Sequence, residues 1–133
     1  MTSLPTREVL VVDDDDSMRQ AIERLLTAAG LKTGIFASAE ALLASSEIAG
    51  ADCIVSDFHL PGMSGLDLLA ELRRRGNAAP VVLITAHDSP ELRAESILRG
   101  AVGYLSKPFH SKDLLAAIEA AVQGGPSNPT STQ

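Results

Sequence analysis

Three apolar runs in this chain end in residues that can do chemistry. Val9-Leu10-Val11-Val12 leads into Asp13-Asp14-Asp15-Asp16, Cys53-Ile54-Val55-Ser56 into Asp57, and Val102-Gly103-Tyr104-Leu105-Ser106 into Lys107-Pro108. Acids at two such ends and an amine at a third suggest one site that the fold assembles. Carboxylates forced together repel, each pair costing about 4 kcal/mol at ~4 Å and an effective dielectric near 20. Lys107 supplies one positive charge against Asp13, Asp14 and Asp57, leaving about two negative charges unmet. A divalent cation balances them, and an all-oxygen site suits Mg²⁺, which takes few carboxylates and keeps several waters. The plainer alternative is a carboxylate cluster that raises its own pKa values.

Aspartate is also a nucleophile that can carry a phosphoryl group. Phosphorylating Asp57 would replace one negative charge by about two, and the new oxygens would need donors. Lys107, the Thr85 hydroxyl and the backbone N–H groups after Asp57 and Thr85 are available in the sequence. A hydroxyl drawn toward a phosphoryl group leaves space behind it, which is a route to a switch.

The elements that would position these residues alternate in a regular rhythm. Strand-like segments start near residues 8, 32, 52, 80 and 102, with helical patterns between them. Cys53-Ile54-Val55 and Val81-Val82-Leu83-Ile84 are continuous apolar runs, as strands covered on both faces should be. Leu114, Leu115, Ile118, Ala121 and Val122 form one helical stripe. Ser17 with Gln20 reads as a capping box, and Ser89-Pro90-Glu91 as a cap, first-turn proline and acid. Gly30, Gly76, Gly100 and Gly124 are expected to stop helices. Repeated βα units imply a doubly wound α/β fold, with a parallel sheet, helices on both faces and right-handed crossovers. Ligands of such sheets bind beyond the carboxyl ends of the strands, where Asp13, Asp14, Asp57, Thr85 and Lys107 fall.

Composition narrows the rest. A chain of 133 residues with 45% hydrophobic and 3% aromatic residues supports one domain with an aliphatic core. A net charge of −6 argues against a nucleic-acid backbone as partner. The basic run Arg73-Arg74-Arg75 closes a helical pattern, where cations suit the negative end of the helix. The single cysteine, Cys53, forms no internal disulfide and fits a reducing compartment. No stretch approaches the roughly 20 apolar residues of a membrane span. The N-terminus lacks a signal-peptide layout, so a cytoplasmic protein with no membrane contact is expected. Residues 6–123 are expected to form the domain. Residues 124–133, rich in Gly, Pro, Ser and Thr, are expected to be a flexible tail or a linker cut short.

Four motifs in order carry a family resemblance: Val11-Val12-Asp13-Asp14-Asp15, Ser56 to Gly65 (Ser-Asp-Phe-His-Leu-Pro-Gly-Met-Ser-Gly), Leu83-Ile84-Thr85-Ala86, and Gly103 to Phe109 (Gly-Tyr-Leu-Ser-Lys-Pro-Phe). Over about residues 6–123 the chain resembles the receiver domain of bacterial two-component response regulators, chemotaxis-receiver-like. The resemblance implies a flavodoxin-like five-stranded sheet of order 2-1-3-4-5. It implies phosphorylation of Asp57 by a sensor histidine kinase or phosphotransfer protein. It places Mg²⁺ on Asp14 and Asp57, with Asp13 acting through water and the His59 backbone carbonyl completing the protein ligands. Thr85 and Tyr104 would be the switch residues and Lys107 the phosphate contact, with Lys107–Pro108 a cis peptide. The run of four aspartates leaves a second register open, with Asp14 and Asp15 as the pair.

The implied protein is a signalling domain rather than an enzyme, losing its phosphoryl group slowly to water. Phosphorylation would remodel the surface of the fourth helix, fifth strand and fifth helix for a target or a second copy. His59 and His87, two residues beyond Asp57 and Thr85, either tune water access to the phosphoryl group or are ordinary loop residues. Two other readings compete. Asp13-x-Asp15 after a strand also suits a haloacid-dehalogenase-type phosphatase, but the fourth strand ends in Thr85-Ala86-His87 without the required acids. A non-phosphorylated adaptor would have no need of Asp57, Thr85 and Lys107 together. An EF-hand from Asp13 fails, having Met18 for glycine and Arg24 for glutamate.

Overall fold

The computed structural model describes residues 7–124. Most of the expected tail, residues 125–133, therefore lies outside the described residues. Strands β1 (Glu8–Val12), β2 (Lys32–Phe36), β3 (Cys53–Asp57), β4 (Val81–Thr85) and β5 (Gly103–Ser106) alternate with helices α1 (Asp16–Ala28), α2 (Ala39–Leu43), α3 (Gly65–Arg74), α4 (Pro90–Leu98) and α5 (Ser111–Gly124). A 3₁₀ turn, Ser46–Gly50, joins α2 to β3. The strands form one parallel sheet in the order β2-β1-β3-β4-β5. This is the doubly wound arrangement expected.

Alternation along the strands divides the core into two layers. Val9, Val11, Cys53, Val55, Val82 and Ile84 face α1 and α5, meeting Ile22, Leu26, Leu114, Ile118 and Ala121. Leu10, Val12, Ile54, Val81 and Leu83 face the opposite way, against Leu42 of α2 and Leu68, Leu69 and Leu72 of α3. Both faces are apolar, so β1, β3 and β4 read as unbroken hydrophobic runs.

One expected cap differs. Asp15, not Ser17, is the N-cap of α1, its carboxylate accepting from Met18 N at 3.1 Å. Ser17 is already helical, because the polar run after β1 turns the chain two residues earlier. Ser89 does cap α4, with Pro90 in its first turn. The glycines after α1, α3 and α4 take positive φ (Gly30 +89°, Gly76 +79°, Gly100 +108°), while Gly124 is the last residue of α5 itself. Ser64 and Asp67 form a capping box at α3 that the motif reading did not single out.

Candidate functional site

The strand order puts the carboxyl ends of β1 and β3 side by side. From β1 the chain winds to β2 on one flank, then crosses to β3 on the other, and the crevice between opens at that reversal. Val12 pairs with Ser56 in register, so Asp57, the last residue of β3, lies beside Asp13, the first residue past β1. Carboxylate oxygens of Asp13, Asp14 and Asp57 lie within 4.8 Å of one another. Asp13 and Asp57 are buried, at 1% and 8% exposure, while Asp14 is open to solvent. The carboxylate of Asp15 accepts from Met18 N at the head of α1, whereas Asp14 is the acid that groups with Asp13 and Asp57.

Lys107 reaches this cluster from the end of β5. Its Nζ donates to Asp13 Oδ2 and to Asp57 Oδ2, each at 3.3 Å. Burial alone would pull its pKa down, but the two carboxylates more than offset this and raise it. Asp13 is pushed the other way from an ordinary ion-paired acid. Burial raises its pKa, against the opposing pull of the Asp15 N–H and Lys107, and the charge of Asp57 adds to the rise. By count, one ammonium faces three carboxylates here. The Lys107–Pro108 peptide is cis.

The loop after β3 closes over the site. Phe58 N donates to Ile84 O at 2.7 Å, and Gly65 N returns to Phe58 O at 2.9 Å. His59 N donates to Asp57 Oδ1 at 3.3 Å, setting the His59 backbone beside that carboxylate. A Cβ on Gly65 would stand 2.7 Å from the Asp57 carbonyl oxygen, so only glycine lets α3 start this close to β3. Glu40 of α2 accepts from Met63 N at 3.1 Å, a contact across 23 residues that no sequence motif signals.

Thr85 ends β4 fully buried. Its Oγ1 accepts from His87 N at 2.9 Å and lies 3.5 Å from His59 Nδ1. The His59 and His87 rings meet edge to face at 5.1 Å between centroids. Tyr104 lies on β5 opposite Leu83, with its ring buried under the guanidinium of Arg93, 4.6 Å from the centroid. Its hydroxyl has no hydrogen-bond partner among the described residues. Burial, and then the nearby charge of Asp88, raise its pKa. Arg93 in turn approaches Asp88 at 3.7 Å.

Sequence reasoning also passed over Arg19. Its side chain is 13% exposed, and its guanidinium donates to the Asp13 backbone carbonyl at 2.7 Å and pairs with Asp16. The three-residue spacing of Asp16 and Arg19 signals a helical ion pair, but nothing local signals the contact with Asp13.

Residues 9–119 match the family model for the response regulator receiver domain. The chain is 40% identical over 115 residues to nodulation protein W of Bradyrhizobium diazoefficiens, covering 86% of this chain and 51% of that protein. It is 39% identical over 120 residues to the transcriptional regulatory protein FixJ of Azorhizobium caulinodans, covering 90% of this chain and 56% of that one. The chain thus spans about half the length of these curated relatives. Among solved structures, the receiver domain of Francisella response regulator 1452 superposes with a TM-score of 0.82 at 30% identity, over 89% of this chain and 98% of that one.

Proposed function

The chain belongs to the response regulator receiver domain family of two-component systems, and from that premise we propose that Asp57 accepts a phosphoryl group from a phosphohistidine on a sensor histidine kinase or phosphotransfer protein. The observation that carries this reading is the bridge of Lys107 Nζ, 3.3 Å from carboxylate oxygens on both Asp13 and Asp57, at the reversal point of the sheet.

In the reaction, a carboxylate oxygen of Asp57 attacks phosphorus and the P–N bond breaks. The bonding pair leaves with the imidazole nitrogen of the donor. Lys107 is in reach of Asp57 to pair with the added negative charge, and the Thr85 hydroxyl at the end of β4 faces the same rim. Bound Mg²⁺ would offset charge that builds on the phosphoryl oxygens. The donor set fits it: three carboxylates within 4.8 Å, all oxygen, with one lysine for balance. Asp14 and Asp57 would hold the ion directly, with the His59 carbonyl, while Asp13 acts through water. Water later attacks the acyl phosphate, releasing inorganic phosphate and restoring the carboxylate.

On this reading Thr85 and Tyr104 respond to the phosphoryl group. The surface formed by α4, β5 and α5 would then engage a downstream target or a second copy. Ile97 and Leu98 of α4, 52% and 88% exposed, are apolar side chains available there. No helix among the described residues is long and apolar enough to cross a membrane.

The test is intact mass after incubation with Mg²⁺ and a small acyl-phosphate donor. Wild type should gain one hydroxylamine-labile phosphoryl group. Asp57→Asn should gain none, while Asp13→Asn should still label, more slowly. A labelled Asp57→Asn protein moves the acceptor elsewhere, and loss of labelling confined to Asp13→Asn would favour the phosphatase reading.

A further inference from the structure

Asp13, the first of the acid pair at the end of β1, is held at four points, three of them supplied by the sheet, the turn and Lys107. Asp13 N donates to Phe36 O at 3.1 Å. Asp13 Oδ1 accepts from Asp15 N at 2.9 Å, and Oδ2 from Lys107. The fourth is the Asp13 carbonyl oxygen, which accepts from Arg19 Nη1 at 2.7 Å. That oxygen belongs to the peptide plane joining Asp13 to Asp14. Fixing it fixes the orientation of the Asp14 backbone. Asp14 itself is exposed, so burial does little to hold it and this plane is its anchor.

We propose that Arg19 is a positioning residue that aims the Asp14 carboxylate at the cation site, with Asp16 holding Arg19 in turn. The inference rests on the reading that Asp13, Asp14 and Asp57 hold Mg²⁺. Its physical basis is a charge-assisted hydrogen bond from the guanidinium of a side chain only 13% exposed, which is stronger and more directional than a neutral one. Arg19 sits one turn into α1, three residues beyond Asp16, so the helix presents both members of the pair to the loop. A guanidinium can contact Asp13 and Asp16 at once through separate N–H groups, and an ammonium on a flexible stem cannot reproduce that fork.

Charge and position predict opposite outcomes, which makes the role testable. Arg19 also adds a positive charge beside a cation site. If charge were its whole contribution, Arg19→Gln would bind Mg²⁺ more tightly and Arg19→Lys would match wild type. If it aims Asp14, both substitutions weaken binding, by about ten-fold at the low end for outer-shell partners of a metal site. Arg24→Gln, which removes the same charge from an exposed position on α1, should stay within about two-fold of wild type.

The measurement is calorimetric titration of the phosphate-free protein with Mg²⁺ alone, beside amide hydrogen exchange without metal. Exchange at Asp15 N–H should quicken in Arg19→Lys and Arg19→Gln, because its acceptor, the Asp13 carboxylate, loses its fixed frame. Tight binding in Arg19→Lys, or tighter binding in Arg19→Gln, overturns the proposal. Should both variants fail to fold, the wild type decides: side-chain NMR must show the Arg19 guanidinium with hindered rotation, and free rotation overturns it. Wild type that binds no Mg²⁺ would sink the cation reading itself, whereas normal wild-type binding with unaffected variants sinks only the role of Arg19.

Discussion

Lys107 pairs with two buried acids at once. It is 16% exposed and faces two acids at 3.3 Å. Replacing it with Met leaves those acids without their cation. Discounted for partial exposure, the loss should be about 2 kcal/mol in metal-free urea unfolding. Millimolar Mg²⁺ should recover much of it. The pH dependence has a definite sign. The folded pKa of Lys107 is raised above 10.5, so its stabilisation is complete below 10.5 and lost as pH climbs through the folded value. Lys107→Met should lack that alkaline loss. Asp13 has the same sign in a lower window: with its folded pKa raised above 3.8, its contribution is present below 3.8 and lost as pH rises through the folded value. Cys53 gives a second residue-scale check. It is fully buried, and burial followed by the charge of Asp52 pushes its thiol up to about 12. A thiol reagent at neutral pH should therefore modify it only as fast as the chain opens.

At the scale of elements, the β3–α3 junction sets the tolerance of the site. A methyl at Gly65 would meet the Asp57 carbonyl oxygen at 2.7 Å and Leu83 Cδ2 at 3.0 Å. Neither the strand backbone nor a packed leucine can yield freely. Gly65→Ala should cost about 1–3 kcal/mol by chemical denaturation. It should also slow labelling of Asp57, since the strand end must shift to admit the methyl. A stability change without any change in labelling rate would show that α3 moves instead. The basic run at the end of α3 acts differently. Arg74 and Arg75 clamp Glu71 and hold its carboxyl at about 2, on an exposed surface where salt screens the effect. Arg73 and Arg75 also donate to the Asn77 and Leu43 carbonyls. The run tidies a helix end, in line with its place in the sequence.

On the scale of the whole molecule, α4 is the least buried of the five α-helices. Its only buried residue is Ser96, whose hydroxyl donates to Leu92 O at 2.8 Å, while Leu98 is 88% exposed. Leu98→Glu should leave stability within about 0.5 kcal/mol. It should abolish any self-association that acyl-phosphate treatment induces in sedimentation. Unaltered association would place the contact on another face. The chain's length of apolar run, its caps and its turn residues already determined that five βα units would stack into a parallel sheet with acids at two strand ends and a lysine at a third. Those features are local: periodicity and capping report the backbone conformation and burial of neighbouring residues. Which strands become neighbours is not local. It follows from how α1 and α5 pack on one face and α2, α3 and α4 on the other. Only that packing set β1 beside β3 and brought Lys107 to Asp13 across 94 residues. The same packing laid Arg93 over Tyr104 and Arg19 against the Asp13 carbonyl. Side chains from separate elements meet only once helix packing has fixed distances that no spacing along the chain encodes.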